Sequence, residues 1–496
     1  MGRAHGYRPA LAGLHPYSSG VRLASPHSHQ REEAGEVQRV PEQGEKRAGK
    51  AGDMGHSWAK GTWQRLPLSL PPALHYPAYR AFWLGLLASV GGFQMFRFGQ
   101  FWLVYQLTDS PLPLGYVGLA NGVPAICLNL FGGVFADRFD QRRLVMTTQS
   151  LTASLIFVLA TLTLLDVVQV WHVLVIAFCT GAVESFDGPA RQSLYPHLID
   201  RRVMVSAVAL NSCIWQGTRI IAPAVAGCIV AWAGTAVAFY LAGLGFLTMA
   251  TVMYSLRVPY ITRGARGSAA HDIREGLRFI RQNSIFSFLI AMTFFNSFFG
   301  LAYITLMPVL AVAILHVGAK GQGLLMGMGG AGALLTTLWL SSRSDVGSKG
   351  WLIIGGGIMS GLSVAAFGLT SAFVGSFPLA LAIMFVMGIC NTTYATSIQS
   401  SLQMLVPDHM RGRVMGFYGM TYNIMPVGGM LASTLANLIT APLAIAVGGL
   451  AVAAFAIGPA MTNGEVRNLG ALLYQVETAA ASGTPRQQPS SSIADN

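Results

Sequence analysis

From about Ala81 to Met461 the chain is filled with apolar runs separated by short polar breaks. A helix crossing the hydrocarbon needs roughly 20 apolar residues. About twelve such runs are legible, at approximately 81–106, 115–136, 144–165, 167–187, 205–232, 236–256, 285–313, 321–341, 351–370, 376–398, 414–437 and 441–461. Hydrophobic residues make up 53% of the 496 positions and charged ones 10%. That composition exceeds what a soluble core needs, so the chain is expected to be an all-α polytopic membrane protein.

The longest polar interruption inside this region divides six runs from six. The expected organisation is a disordered tail over 1–76, a six-helix half over 77–256 and a linker over 257–283. A second six-helix half follows over 284–462, then a tail over 463–496. The first tail is rich in Gly, Arg, Glu, Gln and His and has no sustained apolar run, so ordering entropy could not be recovered by burial. It shows no basic segment followed by an apolar stretch and a small-residue cleavage site, so no cleaved signal is expected. His27 and His29 within it read as a solvated tripeptide. In the linker, Ile273, Leu277 and Ile280 recur at helical spacing beside a stripe of Arg274, Arg278 and Arg281. Such a helix either lies against anionic headgroups or spans the halves as a solvated connector.

Cationic loops resist translocation, and here alternate loops differ in arginine. One set carries Arg138, Arg142, Arg143, Arg191, Arg201, Arg202, the stretch Arg257 to Arg281, Arg343, Lys349, Arg411 and Arg413, while the other carries Lys320 and little else. Both termini are therefore expected in the cytoplasm of a cell whose plasma (inner) membrane holds the protein. The formal charge of +12 follows from this asymmetry and the basic tail. It does not point to nucleic acid. The five cysteines all fall in apolar runs without CxxC spacing, so they read as small packers rather than disulfides or a zinc site. No metal and no cofactor is expected.

The stretch GVFADRFDQRR, at the end of the second run, resembles motif A of the major facilitator superfamily, with Gly133, Asp137, Arg138, Arg142 and Arg143 matching. Asp140 stands where that motif has a glycine and Gln141 where it has a basic residue. The stretches at 102–115, 186–212 and 405–419 look like the enterobactin-exporter and macrolide-efflux branch. The resemblance covers nearly all of 75–462 and implies twelve helices in two parallel halves that alternate in access. Arg202-Val203-Met204 and Arg413-Val414-Met415 are a faint trace of such duplication. The second-half counterpart of motif A, SSRSDVGSKG, keeps Arg343, Asp345 and Lys349. Asp137 ends its helix where it can face the positive end of another helix, which the resemblance implies is the eleventh. The cluster is then a cytoplasmic gate latch; alternatively its charges only fix topology.

A charge inside the membrane costs roughly 2.5–3.5 kcal/mol on the lenient insertion scale and so marks function. Among acids only Glu184 and Asp187 qualify. Either Glu184 carries a proton, or one of the pair stands in a salt bridge to Arg142 or Arg191. Arg97 and Arg219 are the basic counterparts, placed either for an anionic or strongly hydrogen-bonding substrate or for helix carbonyls or a neighbouring acid. Gln94, Arg97 and Gln100 form a drifting polar stripe suited to a water-filled cavity. Asn121, Asn129, Asn211, Gln216, Asn296, Asn391, Tyr394, Tyr422 and Asn423 are further candidates to face it. Each reads equally as interhelical glue. Phe294, Phe295, Phe298, Phe299 and Tyr303 form either a greasy wall for lipophilic substrates or ordinary packing.

Glycines spaced four apart at Gly118/Gly122, Gly323/Gly327 and Gly357/Gly361 permit close helix crossings, and Pro124, Pro223, Pro308 and Pro426 are expected to bend their helices. GTRIIAPAVAG at 217–227 is similar to the antiporter motif but has Ala222 at its central glycine. No HExxH, GxSxG, acidic metal pair or P-loop appears, so an enzyme is not indicated. The expected function is export of a small amphipathic molecule, a drug-like compound or siderophore, by alternating access and driven by protons. A lipid or lysophospholipid flippase, an importer of the same fold, and a non-transporting receptor are the alternatives.

Overall fold

The structure, a computed structural model, describes residues 71–256, 269–341 and 349–462; within these, the side chains at 129–138, 269–273, 341, 349, 351, 408–409 and 459–462 lie outside the description. The readings for residues 1–70 and 463–496, for Asn129, Gly133, Asp137, Arg138 and Ile273 as side chains, and for Arg343, Asp345 and Lys349 therefore fall outside it.

The first half comprises α1 (Pro77–Thr108), α2 (Leu112–Arg138), α3 (Gln141–Leu164), α4 (Val170–Leu194), α5 (Met204–Ala233) and α6 (Thr235–Ser255). A connecting helix, α7 (Ala269–Gln282), leads to the second half: α8 (Ser284–Phe295), α9 (Tyr303–Val309), α10 (Gly318–Ser341), α11 (Lys349–Phe373), α12 (Phe377–Leu405), α13 (Asp408–Tyr422), α14 (Met425–Leu438) and α15 (Ala441–Thr462). Among the described residues nine helical segments have the length and hydropathy to cross a membrane. With α1, α2 and the α13–α14 pair running beside them, the bundle has the twelve crossings expected.

Local chemistry sets several of these ends. Asp140 caps α3 by accepting from the backbone N–H of Arg142 and Arg143, the ordinary use of a short acid at an N-cap. Gln169 and His172 form a capping box at the start of α4. Pro72–His75 form a 3-10 turn just before α1, with Ala73 fully buried. The described helical structure thus starts at Pro72, ahead of the boundary expected at 77. Tyr76 donates to Asp200 at 2.6 Å, a bond that holds the phenol above its ordinary pKa. The Arg-Val-Met tripeptides differ in setting, one in a 3-10 turn before α5 and the other inside α13.

Two crossings are not single α-helices. The seventh runs through α8 and α9 with π turns at Asn296–Gly300 and Leu310–Ile314. The eleventh breaks between Tyr422 and Met425, with Pro426 in the first turn of α14. Proline suits a first turn because its missing N–H has no helical partner there. Pro426 thus follows a break, whereas Pro124, Pro223 and Pro308 sit inside helices.

Helix pairing repeats between the halves. α2 on α4, α3 on α4 and α3 on α6 in the first half recur as α10 on α12, α11 on α12 and α11 on α15 in the second. Between the halves, α5 packs on α10 and α2 on α14, equivalent contacts in two parallel repeats. Both crossings depend on small residues. A side chain at Gly227 would strike the Ala319 carbonyl, and one at Gly323 would come within 2.5 Å of the Pro223 carbonyl. At Gly122 it would meet Pro426 at 2.5 Å.

The two ends of the bundle differ. At the end away from the arginine-bearing loops, Val104, Leu114 and Ile156 join Leu306, Leu325 and Ile445 in one core spanning both halves. At the arginine-bearing end the cores are separate. One holds Tyr79, Leu194 and Met253 of the first half, the other Ile280, Ile398 and Val414 of the second and its connecting helix. Among the described residues, the halves share a core at one end and not at the other.

On α7, Gly276 and Ile280 are buried while Arg274, Leu277, Arg278 and Arg281 are exposed. Glu275 pairs with Arg413 of α13 at 3.0 Å. Of the apolar stripe, Ile280 docks on the second half and Leu277 does not, so α7 is tied to the bundle rather than free of it.

Candidate functional site

A cavity opens between α1, α2, α3, α4, α5 and α6, with about 490 Å³ of empty space counted together with its mouth. Arg97, Asn121, Glu184, Asp187 and Arg191 line it, with Ser89, Gln149, Thr152 and Thr180 among its polar residues and Phe93, Phe96, Trp215 and Phe246 as its aromatic wall.

Asp187 is buried, and every part of its setting answers its charge. Arg191 Nε lies 2.6 Å from Asp187 Oδ2, while Thr148 Oγ1 and Gln149 Nε2 donate to Oδ1 at 2.7 and 3.0 Å. Ser89 donates to Gln149 Oε1 at 2.8 Å. A polar chain thus runs from α1 through α3 to α4. Buried charges persist where they are paired and hydrogen-bonded in this way.

Glu184, one turn earlier on α4, is placed differently. It is exposed to the cavity and makes no hydrogen bond or ion pair with a described residue. Its electrostatic neighbours are Arg97, Arg191 and Asp187. Arg97 likewise makes no hydrogen bond or ion pair with a described residue; its guanidinium lies over the Phe93 ring, 5.6 Å from the centroid, a cation–π contact. Arg97 and Glu184 therefore face one cavity, within each other's field but not joined.

Behind Arg97, Asn121 Nδ2 donates to Gln100 Oε1 at 3.2 Å and to the Val117 carbonyl at 3.0 Å. Gln100 is fully buried, and its Nε2 has no partner among the described residues. Gln94, which opens the stripe on α1, is not among the lining residues. Arg219 is exposed on α5, one turn beyond Trp215 and so on the same helix face. It lies in the field of Tyr303, on α9 of the other half.

Other candidates make contacts between side chains of the bundle. Asn211 accepts from the Tyr79 hydroxyl at 3.3 Å, tying α5 to α1. Asn391 Nδ2 reaches Asn296 Oδ1 at 3.4 Å and Ser360 Oγ at 3.5 Å inside the second half. Tyr422 packs edge-on to Tyr418, their hydroxyls 3.2 Å apart. Phe295 stacks on Phe455 at 3.8 Å, which places part of the phenylalanine wall in helix packing.

Of the gate arginines, Arg142 donates from Nε to the Met253 carbonyl at 2.7 Å and from its terminal nitrogen to the Tyr254 carbonyl at 2.6 Å. It caps the end of α6, where orphan carbonyls and the helix dipole favour a cation. The ion pair expected from Asp187 is made with Arg191, not with Arg142. Arg143 is exposed beside Asp140 at 3.6 Å.

Comparison with known proteins follows the same lines. A family profile described as "Transmembrane secretion effector" matches residues 69–473. The chain is 26% identical over 353 residues to the staphyloferrin A transporter of Staphylococcus aureus, covering 69% of this chain and 85% of that protein. It is 24% identical over 365 residues to the multidrug efflux pump Tap of Mycolicibacterium fortuitum, covering 68% and 83%. With macrolide efflux protein A of Streptococcus pyogenes it shares 21% over 400 residues, covering 78% and 96%. Among solved structures, an inward-facing bacterial homologue of the lysosomal transporter Spinster aligns with a TM-score of 0.61 at 12% identity, covering 85% of this chain and all of that one. The nucleoside transporter NupG aligns at 0.59 and 13%, covering 80% and 99%.

Proposed function

Because the chain belongs to the transmembrane secretion effector family of the major facilitator superfamily, we propose that it exports a small amphipathic molecule by alternating access, driven by the proton-motive force. The observation that carries this reading is the asymmetry of the bundle. Among the described residues one core is shared by the halves at one end and each half has a core of its own at the other, and within the first half a cavity holds Arg97 and Glu184.

Arginine-bearing loops stay cytoplasmic, so the open end is the cytoplasmic one and the state is inward-facing, with both termini inside. Cargo entering from the cytoplasm would meet Arg97 and Glu184. Rocking about the α2–α14 and α5–α10 crossings would close the motif A end around Asp137 and open the other. Glu184 is the acid placed to bind a proton in the cycle, because Asp187 is committed to Arg191, Thr148 and Gln149. The relatives' cargoes, a siderophore, macrolides and multiple drugs, support export of a small amphipathic compound across the plasma (inner) membrane.

The test is accumulation of a panel of lipophilic dyes, macrolides, tetracyclines and a siderophore in an efflux-deficient host. Reduced accumulation of one class, restored by a protonophore and by Asp137→Ala, is expected. Unchanged accumulation across the panel, with the protein verified in the membrane, would overturn the reading in favour of a lipid, import or receptor role.

A further inference from the structure

Acidic and basic side chains away from the helix ends belong to one half. α1, α4 and α5 carry Arg97, Glu184, Asp187, Arg191 and Arg219, whereas the crossings of the second half have none away from their ends. Three arginines stand against two carboxylates, so the first half holds one positive charge in excess. Asp187 and Arg191 neutralise each other at 2.6 Å. Arg97 and a single carboxylate, Glu184, line the cavity without an ion pair between them among the described residues, and Arg219 is exposed on α5 outside the cavity lining.

From this imbalance we infer that the cargo is an amphiphilic anion whose acidic group is held by Arg97, with its apolar part directed toward the uncharged second half. The inference rests on the transporter reading and names its substrate class. An arginine in a low-dielectric cavity without a hydrogen-bonding partner among the described residues has donors to offer an oxyanion, and its fork matches a carboxylate with two parallel bonds. The Phe93 ring, its centroid 5.6 Å from the guanidinium carbon, contacts the cation without using its N–H groups. Trp215 and Phe246 supply apolar surface beside it. Arg219, on the face of α5 that carries Trp215, extends the positive potential toward Tyr303 and the neutral wall. Glu184 opposes the anion and competes for Arg97, so it weakens cargo binding. An anion leaving an inside-negative cell also runs with the membrane potential, so the electrical part of the proton-motive force drives its export.

The probes are 1-naphthylacetate, 1-naphthylacetamide and 2-(1-naphthyl)ethylamine, which share an aromatic body and differ in head charge. Their binding to the full chain in phosphatidylcholine nanodiscs is measured by calorimetry, and their movement is followed in proteoliposomes. The carboxylate should bind about tenfold tighter than the amide, with the ammonium weakest. Arg97→Gln should reduce the carboxylate to the affinity of the amide, Arg97→Lys should keep part of the preference, and Glu184→Gln should tighten carboxylate binding several-fold. Equal or preferred binding of the amide or ammonium, no change on Arg97→Gln, or no binding of any probe would overturn the inference. Preferred but untransported carboxylate would leave the inference standing and sink the transport reading. Transport of the ammonium or amide in preference would do the reverse.

Discussion

Arg191 and Asp187, one helical turn apart on α4, form a 2.6 Å ion pair with both side chains almost wholly buried. Thr148 and Gln149 complete the carboxylate's partners from α3, so the pair fixes α3 against α4 beside the cavity. Removing one member leaves the other charge buried and alone, which costs about 3–5 kcal/mol. Asp187→Ala should therefore lower the thermal unfolding midpoint in detergent sharply. The double variant with Arg191→Ala should recover part of the loss, since interacting sites are not additive. A double variant destabilised by the sum of the two single losses would show that the pair does not couple.

The crossings between the halves make a second prediction. Gly122 faces Pro426 with no room for a Cβ, and Gly227 and Gly323 leave none at α5–α10. Gly122→Leu or Gly323→Leu should stop transport while the protein still inserts. Flux in proteoliposomes beside a thermal melt separates this from misfolding. Undiminished flux would mean the halves do not move about these contacts.

Asn211 and Asn391 occupy helix-tying positions, unlike Asn121 in the cavity wall. Interhelical hydrogen bonds in membranes average about 0.6 kcal/mol, so Asn211→Ala and Asn391→Ala should cost about that and leave the cargo KM unchanged. Asn121→Ala should raise KM. A raised KM for Asn391→Ala would place it on the cargo path instead.

Arg142 caps α6 by donating to the Met253 and Tyr254 carbonyls. Helix-end cations of this kind contribute roughly 0.3–2 kcal/mol, so Arg142→Gln should lower stability by that order, measured in the same thermal melts. Stability equal to wild type would assign Arg142 to the gate or to topology alone.

How far the sequence could carry the reading differs from element to element. The twelve crossings are legible because each apolar run must span the hydrocarbon by itself, a local requirement. The π turns at Asn296–Gly300 and Leu310–Ile314 and the break before Met425 carry no comparable local signature. Pro426 announces a bend but not whether the chain breaks ahead of it. In the cavity, Arg97, Glu184 and Asp187 stand out because charge is rare in these helices. Ser89, Thr148 and Gln149 do not, since a neutral polar residue in an apolar helix has many uses. Only the packing of α1, α3 and α4 brings them to one carboxylate. The departure of Asp140 from motif A becomes intelligible as an N-cap, a role that depends on where α3 begins.

Alternating access is tested most directly by paired distances at the two ends of the bundle. Spin labels at Val205 and Arg281, and in a second protein at Leu164 and Phe373, report the arginine-bearing end and the opposite end, all four sites being exposed. Across pH and with cargo panels in proteoliposomes, the first distance should shorten as the second lengthens. Two distances that stay fixed, or that change in the same direction, would contradict the account.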